Sequence, residues 1–251
     1  MPNIKLVIEY DGSRYHGWQR QPGLPTVQGA LEAAVATIAQ QRPTVIGAGR
    51  TDAGVHAQGQ VANFKINARL TSAAWMRALN SLLPEDIVIV SAQKVSSRFH
   101  SRFSAVGKIY RYRILNRRYP PAIGRQYVWT VYSALDIRRM KSAAQVLLGK
   151  HDFSSFKGAN PSEDRTKGKK RSAVCHLRRL DLVKRYDDLV ITIEADRFLQ
   201  QMVRTIVGTL VEVGRGRRGP REMSILLQKK DRRFSGPTAP AQGLCLVEVK
   251  Y

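Results

Sequence analysis

The residues of this sequence that could do chemistry centre on one acid, Asp52, in the stretch GAGRTDAGVHAQGQVANF. Glycines lie on both sides of it, and glycine allows tight turns and the close approach of another backbone. Arg50 comes two residues earlier, so in an extended chain both side chains would point to the same side. An arginine partner keeps a carboxylate ionised, and an ionised, oriented carboxylate can act as a nucleophile or a base. The spacing also allows Asp52 simply to cap a turn, with Arg50 as an ion-pair partner.

A metal site is the other chemistry that this stretch could support, because Asp52 and His56 are four residues apart. A protein metal site needs three or four ligands, and the five histidines form no HxH or HExxH cluster. The GxSxG motif of serine nucleophiles and glycine-rich phosphate loops are both absent from the sequence. A metal-dependent nuclease that uses Asp52 and His56 therefore stays an alternative with little support.

The charge of the chain indicates a polyanionic partner. Lys and Arg number 42 against 19 Asp and Glu in 251 residues, which gives a formal net charge of +23. Such an excess favours nucleic acid, since binding phosphates releases counterions. A membrane is not predicted, because no segment is apolar for about 18 residues, the start MPNIKLVIEYDG is typical of a strand, and we find no lipidation motif. The distant Cys175 and Cys245 are expected to be reduced, partly buried thiols of a cytosolic protein.

Residue periodicity predicts an α+β fold in two halves. In the first half, strands are predicted at 4–10, 60–66 and 86–95, with helices at 26–40 and 71–83 between them. The second half is predicted to contain a strand at 108–115, a helix from Ser133 to about Gly149, a hairpin at 174–196, helices at 198–214 and 221–230, and a closing strand at 243–251. We expect two ferredoxin-like or RRM-like halves that form a mostly antiparallel sheet with helices on one face, an active-site cleft between the halves, and domains at 1–104 and 105–251.

Local signals predict where the helices begin and which residues they bury. Thr26 is the expected N-cap of the first helix, and a capping box from Ser133 to Asp136 is expected to begin the third. The predicted buried face of the second helix consists of Met76, Leu79 and Leu83. The predicted stripe of the helix at 198–214 consists of Leu199, Met202, Val203, Ile206, Leu210 and Val213.

Much of the basic excess lies in two stretches, 96–125, which includes the strand predicted at 108–115 between loops, and the predicted loop 160–172. The first, SSRFHSRFSAVGKIYRYRILNRRYPPAIGR, is rich in Arg and Tyr, and the second, NPSEDRTKGKKRS, has no periodicity and is expected to be mobile. A single exposed lysine would be an ordinary solvated side chain. The number of basic residues together is what indicates contact with nucleic acid.

The string GRTDAGVHA, followed by GQVANF, closely resembles the signature of the TruA family of tRNA pseudouridine synthases. Four further segments are similar to that family in the same order along essentially the whole chain: RFHSRFSAVGKIYRYRI, GKHDFSSF, FLQQMVRTIVGTLVEVGRG and AQGLCLVEVKY. The resemblance implies conversion of uridine to pseudouridine at nucleotides 38 to 40 of tRNA anticodon stem-loops. It also implies a cytoplasmic homodimer that binds tRNA across both subunits and uses no cofactor or metal.

The same resemblance assigns roles to site residues. Asp52 occupies the position of the nucleophile, which attacks either the uracil ring or the ribose. Tyr110 occupies the position that stacks on the target base, and Arg204 the position that pairs with the catalytic aspartate. Arg50 could hold Asp52 or bind a phosphate. The glycines around Asp52 would then make room for a nucleotide.

The residues themselves allow these roles and also simpler ones. In KIYRYRI, Tyr110 shares a strand face with Tyr112 and Ile114, so it could stack on a flipped base or be a core tyrosine. Arg204 lies off the apolar stripe of its helix, so it could serve a site or be solvated, and Gly208 could let another backbone come close. A non-catalytic tRNA-binding or folding protein that retains the pocket is the alternative function.

Overall fold

The structure is a computed structural model that describes residues 1–158 and 172–251. All of the basic stretch predicted to be mobile except Ser172 therefore lies outside the described residues. Contacts divide the chain into two compact units, the first formed by Met1–Val106 with Cys245–Tyr251 and the second by Gly107–Leu244. The predicted domain division at residues 104 and 105 stays a prediction, because compactness does not establish independent folding.

The described residues form ten strands and five α-helices, which confirms the α+β class. In chain order they are β1 (Asn3–Tyr10), α1 (Val27–Ala39), β2 (Ile46–Gly47), β3 (His56–Lys65), α2 (Ser72–Leu82), β4 (Ile87–Val95), β5 (Gly107–Leu115), β6 (Trp129–Thr130), α3 (Ile137–Gln145), β7 (Gly149–Asp152), β8 (Val174–Arg185), β9 (Asp188–Ala195), α4 (Met202–Gly214), α5 (Glu222–Lys229) and β10 (Leu244–Lys250).

In the first unit, β1 is the central strand. It pairs antiparallel with β3 on one side and β4 on the other, so that Leu6 lies opposite both Ala62 and Ala92. β2 adds antiparallel to β3, whereas Cys245 and Leu246 of β10 run parallel to the start of β3. The sheet is therefore mostly antiparallel, as predicted, and the end of the chain completes it.

The helices of the first unit begin where the sequence predicts and bury one residue that it did not predict. The Thr26 and Thr71 hydroxyls accept backbone N–H groups of α1 and α2, which satisfies donors that a helix start leaves unpaired. In α2 the fully buried side chains are Trp75 and Leu79, and Met76 is only half-buried. The Trp75 ring packs edge-on against Phe64 of β3 at 5.2 Å between centroids. Of the three residues predicted to share one face, Leu79 and Leu83 are buried, and the prediction did not include the buried Trp75.

The second unit contains the antiparallel strands β5, β9, β8 and β7 in that order, with β6 parallel to β5. The predicted hairpin forms between β8 and β9, and its turn contains Tyr186 at a φ of 51°. The predicted capping box was wrong. Asp136 is the N-cap of α3 and accepts the Arg139 N–H at 3.0 Å, while the Ser133 hydroxyl accepts from Arg215.

The buried helix α4 begins at Met202, four residues after the predicted start. Gln201 has a φ of 57°, in the left-handed region, and this interrupts helical geometry just before α4. The predicted stripe residues from Met202 to Val213 are buried, and Leu199 lies outside the helix and is half-buried. This break leaves Phe198 in an irregular segment before the helix rather than on a helix face.

Two further expectations concern membranes and thiols. Across the described ranges 1–158 and 172–251, every helix is too short or too polar to cross a bilayer. Cys175 is buried and Cys245 is half-buried, and burial raises the pKa of the Cys175 thiol to about 11. At neutral pH this thiol is protonated, as an inert core cysteine would be.

Candidate active site

Asp52 lies in the turn between β2 and β3, as its glycine-rich surroundings predict. Its side chain is half-buried, Thr51 before it is buried, and Arg50 is exposed. Gly54 closes the turn with a φ of 76°, a conformation that favours glycine, and the Val55 N–H donates to the Asp52 carbonyl at 3.2 Å. The acid is therefore presented at a sharp corner rather than along a helix face.

The segment at residues 11–18 holds this turn through backbone contacts. The Trp18 N–H donates to the Thr51 carbonyl at 3.1 Å, and the Gly54 N–H donates to the Tyr15 carbonyl at 3.3 Å. Gly17, at a φ of 88°, lies so close that a Cβ there would come within 2.5 Å of the Thr51 oxygen. The backbone on both sides of Asp52 is thus held by the same neighbouring segment.

The space beside Gly47 is occupied by the protein itself. A Cβ at Gly47 would lie 2.5 Å from Cε2 of the Trp18 indole, and Trp18 is only 3% exposed. The prediction that the glycines make room for a nucleotide was therefore wrong for Gly47. That glycine allows an indole to pack beneath the site, which helps to position the 11–18 segment.

A buried hydrogen-bond network lies next to the turn. The Tyr10 and Thr51 hydroxyls lie 2.8 Å apart, and the Gln60 amide donates to the Gly49 carbonyl at 3.0 Å. Burial raises the pKa of Tyr10, so its hydroxyl stays protonated and available for hydrogen bonding. Gln60 is fully buried on β3. Sequence reasoning missed this network, and β3 carries several polar residues, so the sequence does not single out Gln60 as buried.

His56 also contacts the 11–18 segment. Its Nδ1 accepts the Gly12 N–H at 3.1 Å and lies 3.0 Å from an Asp11 carboxylate oxygen, and the side chain is buried. Within residues 1–158 and 172–251, no three or more His, Cys, Asp or Glu side chains form a group that could hold a metal ion. The geometry therefore gives no support to a metal-dependent nuclease built on Asp52 and His56.

In the second unit, Tyr110 lies on β5 opposite Ile193 of β9 and is 7% exposed. As predicted, Tyr110, Tyr112 and Ile114 share the buried face, and Arg111 and Arg113 are exposed on the other. The Tyr110 ring meets Phe198 edge-on at 5.1 Å between centroids. Sequence reasoning missed Phe198 because it assigned this residue to the following helix.

Arg204 lies in the first turn of α4 and is held by the segment at residues 235–240. Its Nε donates to the Ala239 carbonyl at 2.7 Å, and the Ala239 N–H donates to the Arg204 carbonyl at 3.1 Å. The side chain is half-buried, so the alternative of a freely solvated arginine was wrong. Burial raises the pKa of Tyr112, and the nearby charge of Arg204 opposes this effect.

The 235–240 segment is itself fixed at two places. Gly208 faces the Pro237 carbonyl so closely that a Cβ would collide with it, which confirms the prediction of a close backbone approach. The Arg232 guanidinium donates to the Ser235 hydroxyl at 2.8 Å, the Gly236 carbonyl at 3.0 Å and the Thr238 hydroxyl at 3.0 Å. These contacts fix the carbonyl that holds Arg204.

The structure thus places Asp52 and Arg50 in one turn of the first unit, and Tyr110 and Arg204 on β5 and α4 of the second. The first turn offers a half-buried carboxylate on a fixed backbone beside an exposed guanidinium. Such a group can act as a nucleophile or a base without needing to reorganise first.

Comparison with known proteins identifies the family to which the chain belongs. The chain matches the tRNA pseudouridine synthase family at residues 6–104 and 143–251. It is 45% identical to tRNA pseudouridine synthase A of Thermoanaerobacter sp. (strain X514), with 100% of both chains covered. Identity is also 45% to tRNA pseudouridine synthase A of Coxiella burnetii, with 100% of this chain and 94% of the relative covered. The resemblance that the GRTDAGVHA string indicates is thereby confirmed.

Proposed function

The chain belongs to the tRNA pseudouridine synthase family, and we propose from this premise that it acts on uridines 38, 39 and 40 of tRNA anticodon stem-loops. The reaction is an isomerisation of uridine to pseudouridine. The bond from ribose C1′ to uracil N1 breaks and a bond from C1′ to uracil C5 forms, while C5 loses its proton and N1 gains one. No atom is gained or lost overall and nothing is oxidised or reduced, so the reaction consumes no co-substrate; that it uses no cofactor or metal is proposed from the family resemblance.

Asp52 is the proposed nucleophile, whether it attacks the uracil ring or the ribose. The observation that supports this role is the half-buried carboxylate on a turn fixed by backbone contacts from the 11–18 segment and by buried hydroxyls. A nucleophile held in place has less conformational freedom to lose in the transition state. A carboxylate in this position is not needed for binding a polyanion, so a non-catalytic tRNA-binding protein is not favoured.

We propose Arg50, Tyr110 and Arg204 as substrate-binding residues. Arg50 is exposed, which supports contact with a phosphate over a role in holding Asp52. The ring of Tyr110 and the guanidinium of Arg204 are both fixed by neighbours within the second unit. A target base must leave its stack at a cost of about a few kcal/mol, and phosphate contacts made by a chain of net charge +23 can offset that cost.

We further propose that the protein acts in the cytoplasm as a homodimer, with tRNA bound across both subunits. This part of the proposal rests on the family resemblance of the sequence. Sedimentation velocity of the protein with and without tRNA measures the number of protomers in the free protein and in the complex. A single protomer bound to each tRNA at saturating protein would contradict it.

The test of the reaction uses bulk tRNA that lacks pseudouridine, incubated with the protein in excess chelator and without cofactor. Carbodiimide labelling followed by primer extension then maps each new pseudouridine. We expect modification confined to the anticodon stem-loop, and none with Asp52→Asn, which should still bind tRNA. Full activity of Asp52→Asn would refute the assignment of Asp52 as the nucleophile. If the wild-type protein binds tRNA tightly but forms no pseudouridine, the proposed enzymatic activity is refuted.

A further inference from the structure

The turn at residues 98–103, between β4 and β5, exposes an aromatic ring that nothing in the proposed active site uses. Phe103 is 76% exposed at this turn. Its ring lies 4.4 Å from that of His100 between centroids, with the Arg102 guanidinium 5.6 Å from the Phe103 centroid. A single exposed phenylalanine is ordinary at a protein surface, so the significance of Phe103 depends on the groups around it.

The 98–103 turn is held in place by buried polar side chains of the sheet. Asn3 on β1 donates to the carbonyls of Ser96 at 3.0 Å and Phe99 at 2.9 Å. Asn63 on β3 accepts the Ser101 N–H at 2.8 Å and donates to the Asn3 side chain at 2.9 Å. The turn is thus fixed before any partner arrives, so binding there costs little ordering of the loop.

His100 fixes the tip of the turn and has a defined tautomer. Its Nδ1 accepts the backbone N–H groups of Arg102 at 3.1 Å and Phe103 at 3.2 Å. A ring nitrogen that accepts hydrogen bonds carries no proton, so the proton of the neutral ring lies on Nε2, which is a donor. His100 also lines a cavity of about 340 Å³. His100 therefore contacts the exposed Phe103 ring and also lines the cavity, so the ring and the cavity lie next to each other.

The cavity and the turn are basic. Lys65 and Arg98 line the cavity together with the Phe99 ring, and none of the described residues that line it is an acid. Lys5 lies close by, with its ammonium 5.5 Å from the Phe99 centroid. The sequence from residue 87 to residue 135 contains nine Lys and Arg and neither Asp nor Glu. The partner that this charge fits is an anion.

We propose that the 98–103 turn binds an unpaired nucleotide of the RNA substrate, with the base stacked on Phe103 and a neighbouring phosphate at Lys65 and Arg98. Aromatic rings beside a basic groove are how proteins bind single-stranded nucleic acid, because every base has a stacking face and phosphates follow the groove. A second copy of this chain fits less well, since it would bring a net charge of +23 to a basic surface. The inference rests on tRNA being the substrate of the proposed function.

The test measures the Kd of unmodified tRNA over a series of KCl concentrations for separate variants. Phe103→Ala should raise Kd about tenfold at every salt concentration, because stacking carries no charge. Phe103→Tyr keeps the ring and should restore wild-type affinity. The double variant Lys65→Gln with Arg98→Gln should instead make the slope of log Kd against log salt shallower, by about 1 for each phosphate that the protein no longer neutralises.

Matched controls separate this turn from exposed aromatic and basic residues in general. Tyr186→Ala removes a ring that is 98% exposed at the β8–β9 turn, and Lys94→Gln removes an exposed charge of β4. Both should bind tRNA like the wild type. Sedimentation velocity without RNA should show the same association state for Phe103→Ala and wild type.

Two results would overturn the inference. Wild-type tRNA affinity of Phe103→Ala would exclude the stacked base, and a change in protomer association caused by Phe103→Ala would assign the surface to a second copy. The proposed function fails independently of both. A wild type that binds tRNA but makes no pseudouridine would refute the reaction, while the comparison of Phe103→Ala with Phe103→Tyr would remain valid.

Discussion

Replacing Thr51 by valine removes the hydroxyl that meets Tyr10 next to the Asp52 turn and keeps the branched shape of the side chain. Both groups are buried, with Thr51 7% and Tyr10 3% exposed, and their oxygens lie 2.8 Å apart. Water therefore cannot replace the missing partner. We expect Thr51→Val to destabilise the protein and to let the backbone that carries Asp52 move.

The size of both effects follows from the geometry. The Tyr10 hydroxyl loses Thr51 and retains Gln60 as a hydrogen-bond partner, and the loss of a buried partner costs about 1–3 kcal/mol of folding free energy. In a protein of this size a loss of about 2 kcal/mol lowers the Tm by about 4–8 °C. Small misplacement of a reacting group slows catalysis steeply, so we expect the single-turnover rate to fall by about tenfold, which is about 1.4 kcal/mol in activation free energy.

The assay is single-turnover pseudouridine formation at saturating protein, with tRNA affinity measured separately. The rate should fall while the Kd for tRNA stays near the wild-type value, because no group that binds the substrate is removed. Thr51→Ser retains the hydroxyl and should recover most of the rate. Thr71→Val is the matched control, since it removes the N-cap hydrogen bond of α2, an element that does not carry Asp52, at a cost of about 1 kcal/mol.

Two results would refute this reasoning. A Thr51→Val rate equal to wild type would show that the buried hydroxyl pair does not position Asp52. A rate loss of the same size in Thr71→Val would show that activity follows overall stability rather than the geometry of the turn.

Two further predictions concern packing and pH. Gly208→Ala should lower the free energy of unfolding, measured in urea melts, by about 1–3 kcal/mol, because the added methyl collides with the Pro237 carbonyl. Gly219→Ala should lower this free energy far less, because the nearest atom would lie 3.7 Å from the added methyl. Burial raises the pKa of Tyr10, so above about pH 10 the unfolded state releases its proton first and stability falls as pH rises. Tyr10→Phe should reduce this alkaline slope by up to about 1.4 kcal/mol per pH unit, and an unchanged slope would contradict the assignment.

Local signals in the sequence predicted most helices and strands correctly. The Thr26 cap and the alternation around Tyr110 depend on neighbours within a few residues, and these are visible in the sequence itself. Asp136 rather than Ser133, three residues earlier, caps α3 and accepts the Arg139 N–H. Ser133 instead accepts a hydrogen bond from Arg215, which no local pattern could indicate.

Elements defined by pairing were not predictable from local patterns. The two-residue strands β2 and β6 exist because of the strands beside them, β3 and β5. Trp75 is likewise buried because it packs against Phe64 of β3, and only the fold brings Phe64 next to α2. Short segments carry too little periodicity to identify a strand or its face.

For the candidate site, the sequence by itself determined which residues are chemically able to act, because Asp52, Arg50 and the glycines of GRTDAGVHA lie together along the chain. Only the tertiary structure decided how that turn is held. Tyr10 lies 41 residues from Thr51, and Ala239 lies 35 from Arg204, yet each pair meets through a hydrogen bond. Hydrogen bonds need specific distances and directions, and only the folded backbone sets those between distant parts of a chain.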